Sequence, residues 1–161
     1  MENGGLKVQK INNVHWMAAL AEPIIKLTEI LKHPTITSQS LHMHLARIVE
    51  ISQQTDLVEL WGVFDEDYNC VAFANWCVKT SPYIGTTYLE FAYSWNRKKE
   101  PFRLLVKEWL AFGERKFAKP FYMCDVINES VMKVFDKVAE EYGYEYKRSG
   151  LINLTGWRKN G

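Results

Sequence analysis

Large apolar side chains fall at positions 89, 91, 93 and 95 of the stretch Tyr88–Trp95, with smaller or polar ones between them. That period of two predicts a strand with two different faces. Charge and a proline follow in Asn96-Arg97-Lys98-Lys99-Glu100-Pro101, and from Phe102 the apolar positions move to 105, 106, 109 and 110, the spacing of one helix face. Proline presets a first helical turn. A strand that runs through a short basic loop into a helix therefore organises the middle of the chain.

The flanking patterns extend this unit in both directions. Leu6–Ile11 alternates as a short strand, and Val14, Met17, Ala18, Ala21, Ile24, Ile25, Thr28 and Leu31 trace one helical face up to His33-Pro34. Pro23 lies inside that face and predicts a kink or two short helices meeting there. A further helix is expected from about Ser40 to Ile51, with Leu41, Leu45, Ile48 and Val49 inward. Leu57–Phe64, Cys70–Lys79 and residues 87–95 read as three strands, separated by the turn-rich Asp65–Asn69 and Ser81–Gly85, and an antiparallel meander is their simplest topology. Pro120–Ile127 suits a buried strand, parallel to 88–95 because a crossover helix joins the two. Asn128 can cap a helix with apolar positions 131, 134, 135, 138, 139 and 142, ending at Gly143. Tyr144–Arg148 and Leu151–Leu154, around Ser149-Gly150, read as a closing hairpin. The order implies an α/β (α+β) fold in which helices flank a central mixed sheet.

Composition narrows the classes. With 161 residues, 47% apolar and 24% charged, the chain reads as one ordinary globular domain, 1–161. No apolar run approaches the roughly 20 residues that span a bilayer, and Met-Glu-Asn-Gly-Gly is no signal peptide, so a cytoplasmic protein without a membrane partner is expected. Cys70, Cys77 and Cys124 are odd in number, sit among apolar residues and show no CxxC spacing, which predicts buried free thiols. His42 and His44, two residues apart on a helix, do not face each other and are no metal pair. The aromatic residues fall mostly on apolar faces, as core does, and Trp157-Arg158-Lys159 reads as a frayed tail. A net charge of +1 gives no global attraction to nucleic acid. Locally, eight Lys/Arg stand against three Glu between Arg97 and Lys119, either as a solvated helix face or as a surface for a phosphate-bearing partner.

A strand, a basic loop and a helix N-terminus together place backbone N–H groups, a positive dipole end and cationic side chains where an anion can be held. This arrangement resembles the cofactor segment of the GNAT superfamily of N-acetyltransferases, where a strand leads into Arg/Gln-x-x-Gly-x-Gly/Ala and a helix. Arg97 falls on the family's Arg, while Lys98, Glu100 and Phe102 stand where glycines are usual. A second resemblance is Asn128-Glu129-Ser130-Val131-Met132-Lys133-Val134-Phe135 through Gly143-Tyr144, similar to the family's Asn-x-x-(Ala/Ser)-x-x-(Leu/Val)-aromatic helix that ends in Gly-aromatic. The order of elements matches over nearly the whole chain.

The resemblance implies an N-acyltransferase that takes acetyl-CoA, or a related acyl-CoA, as co-substrate and acts on an amine of a small molecule or a protein. It places Ala92, Tyr93 and Ser94 along the pantetheine arm, Arg97, Lys98, Lys99, Phe102 and Arg103 at the phosphates, and Asn128, otherwise a plain helix cap, on the far side of the arm. Glu90, mid-strand on the face opposite Leu89 and Phe91, is the candidate base, with Glu59 second. Phe135 occupies the position where many members carry an acidic Tyr, so Tyr142, Tyr144 or Tyr93 would have to serve, and Tyr142 is taken as the candidate. Two other readings stay open: a GNAT-fold binding or structural module without catalysis, and a divergent phage-type member acting on nucleic acid.

Overall fold

The computed structural model describes residues 4–82, 85–125, 129–148 and 154–159. Its elements are β1 (Lys7–Lys10), α1 (Val14–Ala18), α2 (Ala21–Leu31), α3 (Ser38–Gln54), β2 (Val58–Phe64), β3 (Cys70–Ser81), β4 (Thr86–Asn96), α4 (Lys99–Lys116), β5 (Phe121–Asp125), α5 (Glu129–Glu141), β6 (Tyr144–Arg148) and β7 (Leu154–Lys159). The strands hydrogen-bond in the order β1-β2-β3-β4-β5-β7-β6. β4 and β5 are parallel, with Glu90 opposite Met123, whereas β1–β2, β5–β7 and β6–β7 are antiparallel. The sheet is mixed, as expected. The chain groups into two compact units, residues 1–75 with 93–105, and residues 76–92 with 106–161.

In the first unit, Oδ1 of Asn13 accepts the N–H groups of His15 and Trp16 and starts α1. The helix closes at Ala19-Leu20 and α2 begins at Ala21, so the break falls before Pro23 rather than on it. Pro23 then sits in the first turn of α2, where its missing N–H has no intrahelical acceptor to lose. α3 starts earlier than Ser40 because Thr37 and Ser40 cap each other reciprocally: Ser40 N–H donates to Thr37 Oγ1 at 3.1 Å and Thr37 N–H to Ser40 Oγ at 2.9 Å. One face of each helix (Met17, Ile24, Leu27, Leu41, Leu45, Val49) closes over Ile11, Leu60, Phe64, Phe73 and Trp95.

The second unit is packed by aromatic rings. Phe91 stacks on Trp76 and meets the edges of Trp109 and Phe135, and Trp109 in turn meets Tyr122. Burying each such side chain contributes about 1.5–3 kcal/mol. α5 ends at Gly143, whose φ of 77° needs a residue without a Cβ.

The closing strand differs from its expected place. It is described over Leu154–Lys159, extending past the expected end at Leu154, while the expected turn at Ser149-Gly150 and residues 151–153 lie outside the described residues. The triplet read as a frayed tail lies inside the sheet, between β5 and β6: Trp157 pairs with Tyr122 on one side and Tyr146 on the other, and Arg158 with Phe121 and Glu145. Pairing on both edges fixes a strand that its own composition does not mark.

Candidate active site

β4 carries most of the expected site. Phe91 joins the aromatic cluster of the second unit, but Tyr93 and Trp95 pack with the core of the first, Tyr93 meeting the exposed ring of His44 edge-on at 5.7 Å. The N–H of Tyr93 donates to the side-chain Oδ1 of Asn75 at 3.0 Å instead of to a ladder carbonyl. Asn75 is only 2% exposed. Sequence reasoning passed over it, although a single amide inside Val71-Ala72-Phe73-Ala74-Asn75-Trp76 is itself a signal: a buried amide must have a hydrogen-bond partner. Ala92, Tyr93 and Ser94 are half-buried.

The loop after β4 is shorter than its composition implied. Only Arg97 and Lys98 lie between the strand and α4, which begins at Lys99. Asn96 Nδ2 donates to the Lys98 carbonyl at 3.1 Å and tightens the turn. The N–H of Arg97 donates to the Val71 carbonyl at 2.9 Å, extending the β3–β4 ladder, so it is not available to a ligand. The first turn of α4 carries the N–H groups of Lys99 and Glu100, Pro101 having none. Lys98, Lys99 and Glu100 are exposed, whereas the Phe102 side chain is buried at 2% exposure and cannot itself touch a ligand in solvent. Arg103 Nη1 stands 3.7 Å from Glu100 Oε1.

In the second unit Glu90 Oε2 lies 2.6 Å from Lys79 Nζ, with side chains 27% and 50% exposed. Its neighbours register the charge. The hydrogen bond to Glu90 raises the Lys79 pKa, and burial, with the charge of Glu90 added, pushes the Cys77 thiol and the Tyr88 hydroxyl up. Glu59, the second choice, is buried and paired with Lys10 at 2.9 Å.

The tyrosines differ sharply. Tyr144 donates to Glu114 Oε1 at 2.7 Å and contacts the hydroxyl of Tyr122, which donates to the Leu110 carbonyl; burial raises both pKa values. That pair is a buried staple. Tyr142 is 45% exposed at the end of α5. Phe135 is core, between Phe91 and Trp109. Asn128 lies outside the described residues.

A cleft of about 290 Å³ opens in the first unit, where the start of α2 approaches the β2–β3 turn and the end of β4. Trp95, Pro23 and Cys70 form its apolar wall, and Arg97 with Lys26 supplies positive charge. Among the described residues no group of three His, Cys, Asp or Glu is placed to hold a metal, and no helix is long and apolar enough to cross a membrane.

Solved structures share this architecture. A probable acetyltransferase superposes with a TM-score of 0.65 at 13% identity, over 82% of this chain and 87% of the other. The chain has the GNAT acetyltransferase fold. The glucosamine-6-phosphate N-acetyltransferase of Arabidopsis thaliana has the same GNAT fold (TM-score 0.58, 13% identity, 83% and 89% covered), as does a ribosomal alpha-N-protein acetyltransferase in complex with coenzyme A (0.59, 10%, 96% and 93%). No protein-family profile matches the sequence, and no curated protein does. At these identities the likeness is one of fold.

Proposed function

We propose that the protein is an N-acyltransferase that moves an acetyl or related acyl group from acetyl-CoA to an amine. The observation that carries this reading is the junction of β4 and α4 within a GNAT fold, where a two-residue basic turn leads straight into a helix N-terminus with Lys98 and Lys99 exposed. Without glycines, close approach of the backbone gives way to charge: the first-turn N–H groups of Lys99 and Glu100, the helix dipole and two exposed ammonium groups would hold phosphate, with Arg103 beside them. The buried Phe102 side chain leaves that approach clear. Ala92, Tyr93 and Ser94 would lie along the pantetheine arm, and Asn128 would contact it from the other side.

Acetyl-CoA would supply the acyl thioester, whose C–S bond breaks as the amine nitrogen bonds to the carbonyl carbon. Glu90 would take the proton released by the amine, and Lys79, held at 2.6 Å, would orient the carboxylate. Tyr142, the exposed hydroxyl at the end of α5, would return a proton to the departing thiolate. A second reading, a GNAT-fold binding module without catalysis, draws on the same ion pair, because a carboxylate already matched by Lys79 needs no further role.

Calorimetric titration with acetyl-CoA decides between them. Micromolar binding that weakens by about tenfold in Lys98→Ala/Lys99→Ala, from the loss of two phosphate-facing charges, is the expected result. No heat with acetyl-CoA or CoA would overturn the acyltransferase reading.

A further inference from the structure

We infer that the cleft of the first unit binds a small organic anion, a carboxylate or phosphate on an apolar body, with the Arg97 guanidinium as its anchor. The argument is one of unmatched charge beside an apolar wall. Both carboxylates near Arg97 are already satisfied by other groups. Glu22 takes Lys26 Nζ at 2.7 Å, and Asp65 Oδ1 accepts the N–H groups of Asp67 and Asn69 at 3.0 and 2.9 Å while its Oδ2 accepts Asn69 Nδ2 at 3.2 Å. The charge of Arg97 nonetheless reaches Glu22, Asp65 and Cys70, on three separate segments, and helps hold both carboxyl pKa values down. Its side chain has no ion-pair partner within 4 Å among the described residues. A planar guanidinium with five donors and no acceptor prefers a carboxylate or phosphate that it can grip with two parallel bonds.

The remaining walls describe the rest of the ligand. Trp95, buried to 7% exposure, and Pro23 form an apolar floor, and the Lys26 ammonium, paired with Glu22 at 2.7 Å in the same lining, lies 5.9 Å from the Trp95 ring centroid. At the rim Tyr68 stands 65% exposed with a φ of 62°, a left-handed backbone that fixes the turn and presents the ring. A volume of about 290 Å³ suits a molecule of one ring or a short chain. The site assigns Arg97 to the cleft rather than to acyl-CoA phosphates, and it stands whether or not acetyl-CoA binds.

The test is a backbone-amide NMR titration with phenyl phosphate and with benzoate, using benzyl alcohol as the uncharged control. Saturable shifts at Asn69, Cys70 and Arg97 with one or both anions, weakened about tenfold or more in Arg97→Gln and unchanged in Arg47→Gln, are expected, since a charge-assisted pair is removed. Response to a single anion supports the site and names its head group. The Arg97 side chain is exposed and its N–H bond to Val71 survives the substitution, so Arg97→Gln should keep the fold, and its amide spectrum shows whether it does. Anion binding indifferent to Arg97→Gln, equal binding of benzyl alcohol, or no saturable shift at these amides would overturn the inference. Acetyl-CoA calorimetry on Arg97→Gln separates the two readings: unchanged affinity keeps the cleft a distinct site, and a parallel loss of acetyl-CoA and anion binding returns Arg97 to the cofactor and overturns the separate site.

Discussion

Oδ1 of Asn75 takes the N–H of Tyr93 at 3.0 Å, a side chain standing in for a strand carbonyl in the middle of a sheet. Without Asn75 that backbone donor would have no acceptor, and the cost of such a group exceeds the gain from most single contacts. Asn75→Ala should therefore lower unfolding stability by about 1–3 kcal/mol. Urea denaturation of the two proteins measures it. A loss of only a few tenths of a kcal/mol in Asn75→Ala would show that the Tyr93 donor finds another acceptor.

Glu90→Gln separates chemistry from folding. If Glu90 is the base, the acyl-transfer rate should fall by about 10²–10⁴. Stability should change by less than about 1 kcal/mol, because both partners of the pair are open to solvent. The pair also sets a pH signature. The folded pKa of Lys79 is raised, so its contribution is complete below the ordinary lysine value near 10.4 and is lost as pH rises through the folded value. Wild-type and Glu90→Gln stabilities should thus converge on the alkaline side of about pH 10.4 and stay apart at neutral pH. Thermal melts across pH 7–11 would show this, and a constant offset over that range would contradict it.

Gly113→Ala should destabilise the second unit. A Cβ there would stand 2.6 Å from Cζ of Tyr122, a ring with no exposed surface and its hydroxyl already bonded to Leu110, so neither side can give way cheaply. Overpacking of this kind costs about 1–3 kcal/mol. A melting temperature within a degree of wild type would mean that α4 can shift away from β5.

What the sequence made legible was what repeats locally. The helical spacing at 102–110 and at 131–142, the turn at 65–69, the parallel placement of β5 and the end of α5 at Gly143 each follow from neighbours a few residues apart. The misplacements have a local and a distant cause. Pro23 reads as a helix break only until Ala19-Leu20, just before it, supplies an earlier one, whereas Leu154–Lys159 becomes a strand because β5, far along the chain, and β6 hold it from both sides. At the site, Glu90 was found as a carboxylate in a strand, but its partner Lys79 and the grouping of Glu22, Lys26 and Arg97 around one cleft needed the fold.

The thiols offer a last check on the packing around these groups. Cys70 and Cys124 are buried and Cys77 is half-buried, all three free. Burial pushes the Cys70 pKa up to about 12, and Sγ donates to the Ala72 carbonyl at 3.2 Å, so at pH 8 it is a neutral thiol shielded from solvent. Only the thiolate reacts with iodoacetamide. Native protein should therefore label slowly, at Cys77 before Cys70 or Cys124, and at all three in urea, as peptide mass spectrometry would report. A raised thiol pKa also means that the unfolded chain ionises first: between about pH 8.5 and 12 stability should fall as pH rises, and less steeply in Cys70→Ala. Rapid labelling of Cys70 in the native protein would show that the wall it forms with Trp95 and Pro23 opens readily, and the cleft with it.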